Sequence, residues 1–185
     1  MRALQNSNRL VVKINDKVFC EIIEKRIRKN IRLRYPFSKN DCILAADDLT
    51  AYLLNKILKD MPAKVYSRKT NIEQLLKKDK KTLDFIKKRK INKIAIPWTA
   101  DDECCIFLKS VFSNKPKKKI PYVKFLLTAT DDEIGKFAKI NRIPWKPNKK
   151  DRKILQFIEE LNKLYPQTKF SLLKSAIRIE EILSG

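Results

Sequence analysis

Cys42-Ile43-Leu44-Ala45-Ala46-Asp47-Asp48-Leu49-Thr50-Ala51-Tyr52-Leu53-Leu54 reads as a buried strand, an abrupt turn and the start of a helix. In α/β proteins such a turn cradles phosphate with glycine amides and the positive end of the helix. Glycine matters there because the backbone must approach the ligand closely. The chain has 2 glycines, Gly135 and Gly185, and neither is near the turn. Asp47 and Asp48 instead place two carboxylates where a phosphate would sit. The stretch specifies strand, turn and helix, but it opposes a nucleotide, and no cofactor is expected.

Outward from this stretch, strands and helices alternate. An amphipathic helix over Val18 to Arg34 sets Phe19, Ile22, Ile23, Ile27 and Ile31 at helical spacing. The first strand spans about Asp41 to Ala46, and its helix runs to about Lys59. Pro62 introduces a short strand, Ala63 to Tyr66, followed by a helix over Asn71 to Arg89. Lys93 to Trp98 is the next strand and Asp101 to Phe112 its helix, with Thr99 or Ala100 in the cap region. A basic linker, Ser113 to Pro121, leads to a strand over Tyr122 to Leu127 and a helix over Asp131 to Ile140 capped by Thr130. After a loop from Pro144 to Lys149, helices over about Arg152 to Leu164 and Ser171 to Leu183 close the chain. Strands such as Ile94 to Ile96 are apolar on both faces, as a parallel sheet covered by helices requires. The expected fold is α/β, a Rossmann-like parallel sheet in one domain over residues 1–185. Within it, residues 18–40 form an N-terminal helical extension, 41–143 the α/β core and 150–185 the C-terminal helices.

Composition narrows the function. The 185 residues are 43% hydrophobic, enough for a real core, yet 43 Lys+Arg stand against 21 Asp+Glu for a net charge of +22. Such an excess points to a polyanion. No apolar run approaches the ~20 residues of a membrane span, and Met1 to Leu10 lacks the apolar core of a signal peptide. A cytoplasmic protein with nucleic acid as partner, and no membrane, is the expectation. With 0 histidines, His-based acid–base catalysis and histidine metal ligation are excluded. Of the 4 cysteines, Cys20 and Cys42 stand alone and Cys104-Cys105 are adjacent. None forms a Cys-x-x-Cys pair, so they are expected as buried apolar side chains rather than ligands of zinc or an iron–sulfur cluster.

Several local words resemble the PP-loop ATPase superfamily, and within it the enzymes that thiolate transfer RNA at wobble uridine or at cytidine. Where that family carries Ser-Gly-Gly-x-Asp-Ser, this chain reads Ala45-Ala46-Asp47-Asp48-Leu49-Thr50. Where it carries Gly-His-Asn-x-Asp-Asp-x-Ala, this chain reads Pro97-Trp98-Thr99-Ala100-Asp101-Asp102-Glu103-Cys104 and keeps the acidic pair. Val18-Phe19-Cys20 and the helix ending Arg26-Ile27-Arg28-Lys29-Asn30-Ile31-Arg32 are similar to the end of the wobble-uridine thiolases' zinc ribbon and its following helix. Ile23 stands where a histidine ligand would be. Leu164-Tyr165-Pro166-Gln167-Thr168-Lys169-Phe170-Ser171-Leu172-Leu173-Lys174-Ser175 is similar to the same enzymes' C-terminal segment.

The resemblance implies a PP-loop-type fold of reduced strand number, without the family's ATP loop, metal ligands or sulfur-carrying cysteines. Between Met61 and Asp101 there is no cysteine at all. It further implies a pseudoenzyme: a non-catalytic partner subunit that holds a catalytic PP-loop thiolase in a heterodimer and binds transfer RNA. The alternatives are a free-standing RNA-binding protein on a retired nucleotide fold, and a divergent ATPase, which the glycine-free turn disfavours.

The basic clusters carry the RNA expectation. Lys25 to Arg34 holds six cations and no acid, and Lys77 to Lys93 holds nine cations and two acids. The candidate RNA contacts are Lys25, Arg28, Lys29, Arg32, Lys87, Lys88, Arg89, Lys90, Lys115, Lys117, Lys118, Lys119, Lys149 and Lys150, which would meet phosphate and fix position. Trp145, between Pro144 and Lys146, is the better candidate for stacking on an unpaired base, with Tyr35 behind it. Trp98 ends an apolar strand and is expected in the core. The bland reading of Asp101, Asp102, Asp47 and Asp48 is a carboxylate serving the start of a helix.

Overall fold

A computed structural model describes residues 15–70, 74–75, 77, 79–114 and 120–182. In chain order the elements are α1 Asp16–Arg34, β1 Cys42–Ala45, α2 Asp48–Ile57, β2 Lys64–Ser67, α3 Lys80–Lys88, β3 Lys93–Ile96, α4 Ala100–Phe112, β4 Val123–Lys124, α5 Asp131–Ile140, α6 Arg152–Leu164 and α7 Thr168–Ile182. The sheet has four strands in the order β2-β1-β3-β4, all parallel. Ile43 pairs with Val65 on one side and Lys93 on the other, which fixes the register of the centre.

Strand alternation sorts the core into two layers. Ile43, Ala45, Ala95 and Val123 face α1, α2 and α5, packing with Ile23, Ile27, Leu49, Leu53 and Phe137. Ala46 and Ile96 face the other way, toward Trp98, Cys104, Leu108, Ile158 and Leu173 of the α4, α6 and α7 side. This is the three-layer arrangement of a doubly wound sheet. Because consecutive β1–β2 and β2–β3 units run in opposite directions along the sheet, α2 and α3 lie on opposite faces. Helix α1, expected as an extension, is part of the core: Ile23 and Ile27 are fully buried and Ile31 nearly so. Each such side chain stabilises the fold by roughly 1.5–3 kcal/mol.

Two expected elements differ. The apolar run Tyr122 to Leu127 is extended only at Val123–Lys124, after which 125–128 turn. Phe125, Leu126 and Leu127 are buried all the same, so burial rather than strand geometry explains their apolar character. The helix expected over Asn71 to Arg89 is interrupted. Asp79 adopts a non-helical conformation and caps a new helix, accepting from the Thr82 amide at 3.2 Å. Residues 71–73, 76 and 78 of that stretch lie outside the described residues. No described helix is long and apolar enough to cross a membrane.

Candidate functional site

In an open parallel sheet the ligand crevice lies beyond the carboxyl ends of the strands, where the strand order reverses. Here that point lies between β1 and β3, at Ala46-Asp47 and Pro97-Trp98. Asp47 is the N-cap of α2, and its Oδ1 accepts from the Thr50 amide at 2.8 Å. Burial raises the Asp47 carboxyl above its ordinary range, against the pull of the Thr50 hydrogen bonds. Asp48 pairs with Lys69 at 2.9 Å. The bland expectation for Asp47 therefore describes its role: the chain's own carboxylate occupies the helix N-terminus that a phosphate would otherwise use.

The other wall is the start of α4. Of the two residues the sequence offered for the cap, Thr99 fills the position, in a reciprocal box with Asp102. Sequence reasoning missed what the three consecutive acids do next. Asp101, Asp102 and Glu103 are all buried, and each meets a lysine from a different later segment. Lys169 of α7 reaches Asp101 at 2.6 Å. Lys150 bridges Asp102 at 2.8 Å and Asp131 at 2.7 Å. Lys124 of β4 lies 3.1 Å from Glu103 and 3.4 Å from Glu180. Burial opposes the charge on Lys150 and Lys169, but the facing carboxylates outweigh it and raise both ammonium groups. The legible signal was a lysine inside an apolar run, Lys124 between Val123 and Phe125, opposite three acids that one helical turn cannot expose together.

The loop after α5 closes the crevice from above. Asn148 donates to the Pro97 carbonyl and to Asp102, both at 2.8 Å. Trp98 lies in the core as expected, with its Nε1 donating to Glu103 at 2.7 Å. Cys104 and Cys105 are buried within α4, and burial pushes both thiols up to about 12. Cys20 is buried as well, whereas Cys42 is partly exposed. Among the described residues, no three His, Cys, Asp or Glu side chains are grouped to hold a metal ion.

The candidate RNA residues divide. Lys25, Arg28, Lys29 and Arg32 lie on the exposed side of α1, and Lys87, Lys88, Arg89 and Lys90 are exposed at the end of α3. Lys149 is exposed, but its neighbour Lys150 is not available: its side chain is 4% exposed and committed to two carboxylates. An ammonium held this way cannot neutralise a phosphate without leaving two buried acids unpaired. Trp145 is also turned inward. Its ring packs on the core under α1, α2 and α5, facing Gly135 so closely that a Cβ there would touch it at 3.5 Å. The indole's apolar area is better buried than left to stack. Tyr35 packs on the same core. Lys115, Lys117, Lys118 and Lys119 lie outside the described residues.

A four-stranded parallel sheet with a capped turn after β1 and an acidic helix start after β3 makes this a Rossmann-like α/β fold. The chain is similar in structure to the U34-tRNA thiolase NcsA from Methanococcus maripaludis, a protein described with its 4Fe-4S cluster. The TM-score is 0.66, and the match covers 90% of this chain and 80% of that one. Sequence identity is 12%, so the likeness is one of fold. No protein-family profile matches the sequence, and no curated protein matches it.

Proposed function

We propose that this chain is a non-catalytic, transfer-RNA-binding partner subunit of a PP-loop thiolase acting in 2-thiolation of wobble uridine. The observation that carries the reading is the Asp47 cap: at the turn where the fold would receive phosphate, the Thr50 amide of α2 is already served by a carboxylate. A phosphate entering there would have to displace that hydrogen bond and face Asp47 and Asp48 at close range, where like charges repel strongly. The buried lysine–carboxylate network at the start of α4 supports the same reading, since it fills the opposite wall with the chain's own charges. The fold of the tRNA thiolase gives the direction, and the exposed cations of α1 and α3 give a surface for RNA. The chain would work in the cytoplasm, in a heterodimer whose other subunit supplies ATP chemistry and sulfur transfer.

Affinity purification of the tagged protein from its native cells tests this. A PP-loop protein recovered in equal amount together with transfer RNA is the expected result. Recovery of ribosomal or bulk RNA with no such protein supports the free-standing RNA-binding reading instead.

A further inference from the structure

On the outer margin of the sheet, four side chains from two elements interlock. Tyr66 lies on β2 and Arg68 follows directly after its last residue; Phe85 lies on α3 and Arg89, four residues on, is its C-cap and so shares its side. The Arg68 guanidinium lies 5.2 Å from the centre of the Phe85 ring. Phe85 meets Tyr66 edge-on, with centroids 6.3 Å apart at 89°. The Arg89 guanidinium lies 5.3 Å from the centre of the Tyr66 ring. The order in space is Arg68, Phe85, Tyr66, Arg89, an alternating ladder closed at both ends by a cation.

The ladder holds both arginines by their ring-facing sides and leaves their N–H groups for another partner. Among the described residues, neither guanidinium has a carboxylate within ion-pair distance or a side-chain hydrogen bond. Asp84, the only acid on α3, pairs with neither. Around them Lys64, Lys87, Lys88 and Lys90 are exposed. Packing alone does not account for this. Aliphatic side chains would cover Tyr66 and Phe85 as well, without adding two fixed positive charges to a cluster in a chain of net charge +22. Preordered planar guanidinium groups beside a row of lysines match a chain of phosphates, which each fork can grip with two parallel hydrogen bonds.

We infer that the Arg68–Phe85–Tyr66–Arg89 ladder is a clamp for the phosphodiester backbone of RNA, with Arg68 and Arg89 as its contact residues. The inference rests on the RNA-binding part of the proposed function and places it at the β2–α3 margin. A docked strand is gripped by the two forks, while the lysines at the end of α3 add charge without geometry.

The test exchanges both arginines for lysine, Arg68→Lys with Arg89→Lys, so that net charge is unchanged and only the planar forks are lost. A control chain carries Arg152→Lys and Arg178→Lys, at two exposed positions on α6 and α7. Affinity for an unmodified transfer RNA transcript is measured by fluorescence anisotropy, with a thermal melt for each chain. The clamp exchange is expected to weaken binding about tenfold or more, and the control to leave it unchanged. Should the double exchange impair folding, Arg89→Lys alone, at the exposed cap of α3, replaces it, with weaker binding at unchanged net charge again expected. Hydrogen exchange of the wild-type chain should show residues 64–68 and 85–90 protected on adding the RNA. RNA binding that survives the exchange unchanged, or displacement by polyglutamate as readily as by RNA, overturns the clamp. Failure of the wild-type chain to bind transfer RNA at all overturns the RNA-binding reading itself.

Discussion

The Lys150 ammonium stands 2.8 Å from Asp102, and both side chains are almost wholly buried, at 4% and 3% exposure. The pair links the start of α4 to the loop that precedes α6, and through Asp131 to the start of α5. With Lys169–Asp101 and Lys124–Glu103 it forms a set of three internal ties between segments far apart in sequence.

Lys150→Met should therefore destabilise the protein by about 3–5 kcal/mol, because Asp102 and Asp131 would be left buried without their cation. Adding Asp102→Asn should recover part of the loss. Denaturant unfolding of the three chains measures both effects. RNA affinity of whatever folded Lys150→Met protein remains should be unchanged, the reverse of what exposed Lys149 predicts for its own removal.

Alkaline pH should expose the buried thiols. Cys104 and Cys105 are raised from 9.0 to about 12 in the folded chain. A group raised in this way contributes stability that is complete below its unfolded pKa and is lost as pH climbs toward the folded value. At pH 10 each thiol should cost about 1.4 kcal/mol, one pH unit above the unfolded value. The raised Lys150 and Lys169 act in the same direction at still higher pH. Melting temperature should hold from pH 7 to about 8.5 and fall by pH 10, and replacing both cysteines by Ala should flatten that fall.

The scarcity of glycine leaves a measurable strain. Helix α3 ends with the Lys90 amide bonded to Lys87 and the Ile91 amide to Ile86, the double bond pattern that usually places glycine in the left-handed position. Lys90 occupies it, with φ 51°. Lys90→Gly should stabilise the protein by roughly 0.5–1 kcal/mol while removing a charge beside the RNA surface. Calorimetric melting should show the gain, and a lower melting temperature would contradict it.

The class of fold was legible because β1 is short, apolar on both faces and followed at once by a cap residue. The helix starts at Thr130 and the cap at Thr99 follow from the same local chemistry. What could not be read was which charges go inside. Lys149 and Lys150 are equivalent in sequence, yet only Lys150 meets Asp102 and Asp131, residues brought to it by the return of the chain after α5. The same holds for Trp145, whose burial depends on α5 passing beneath it. The ladder was half visible: Tyr66 with Arg68 and Phe85 with Arg89 each have the right spacing, but their union depends on how α3 crosses the sheet edge.

Titration of the purified protein with Mg-ATP in a calorimeter tests the central claim most directly. The Asp47 carboxylate caps α2 where phosphate would bind, so the account predicts no saturable heat at any ordinary nucleotide concentration. Saturable binding with a micromolar dissociation constant would show that the turn opens to admit phosphate, and would contradict a non-catalytic subunit.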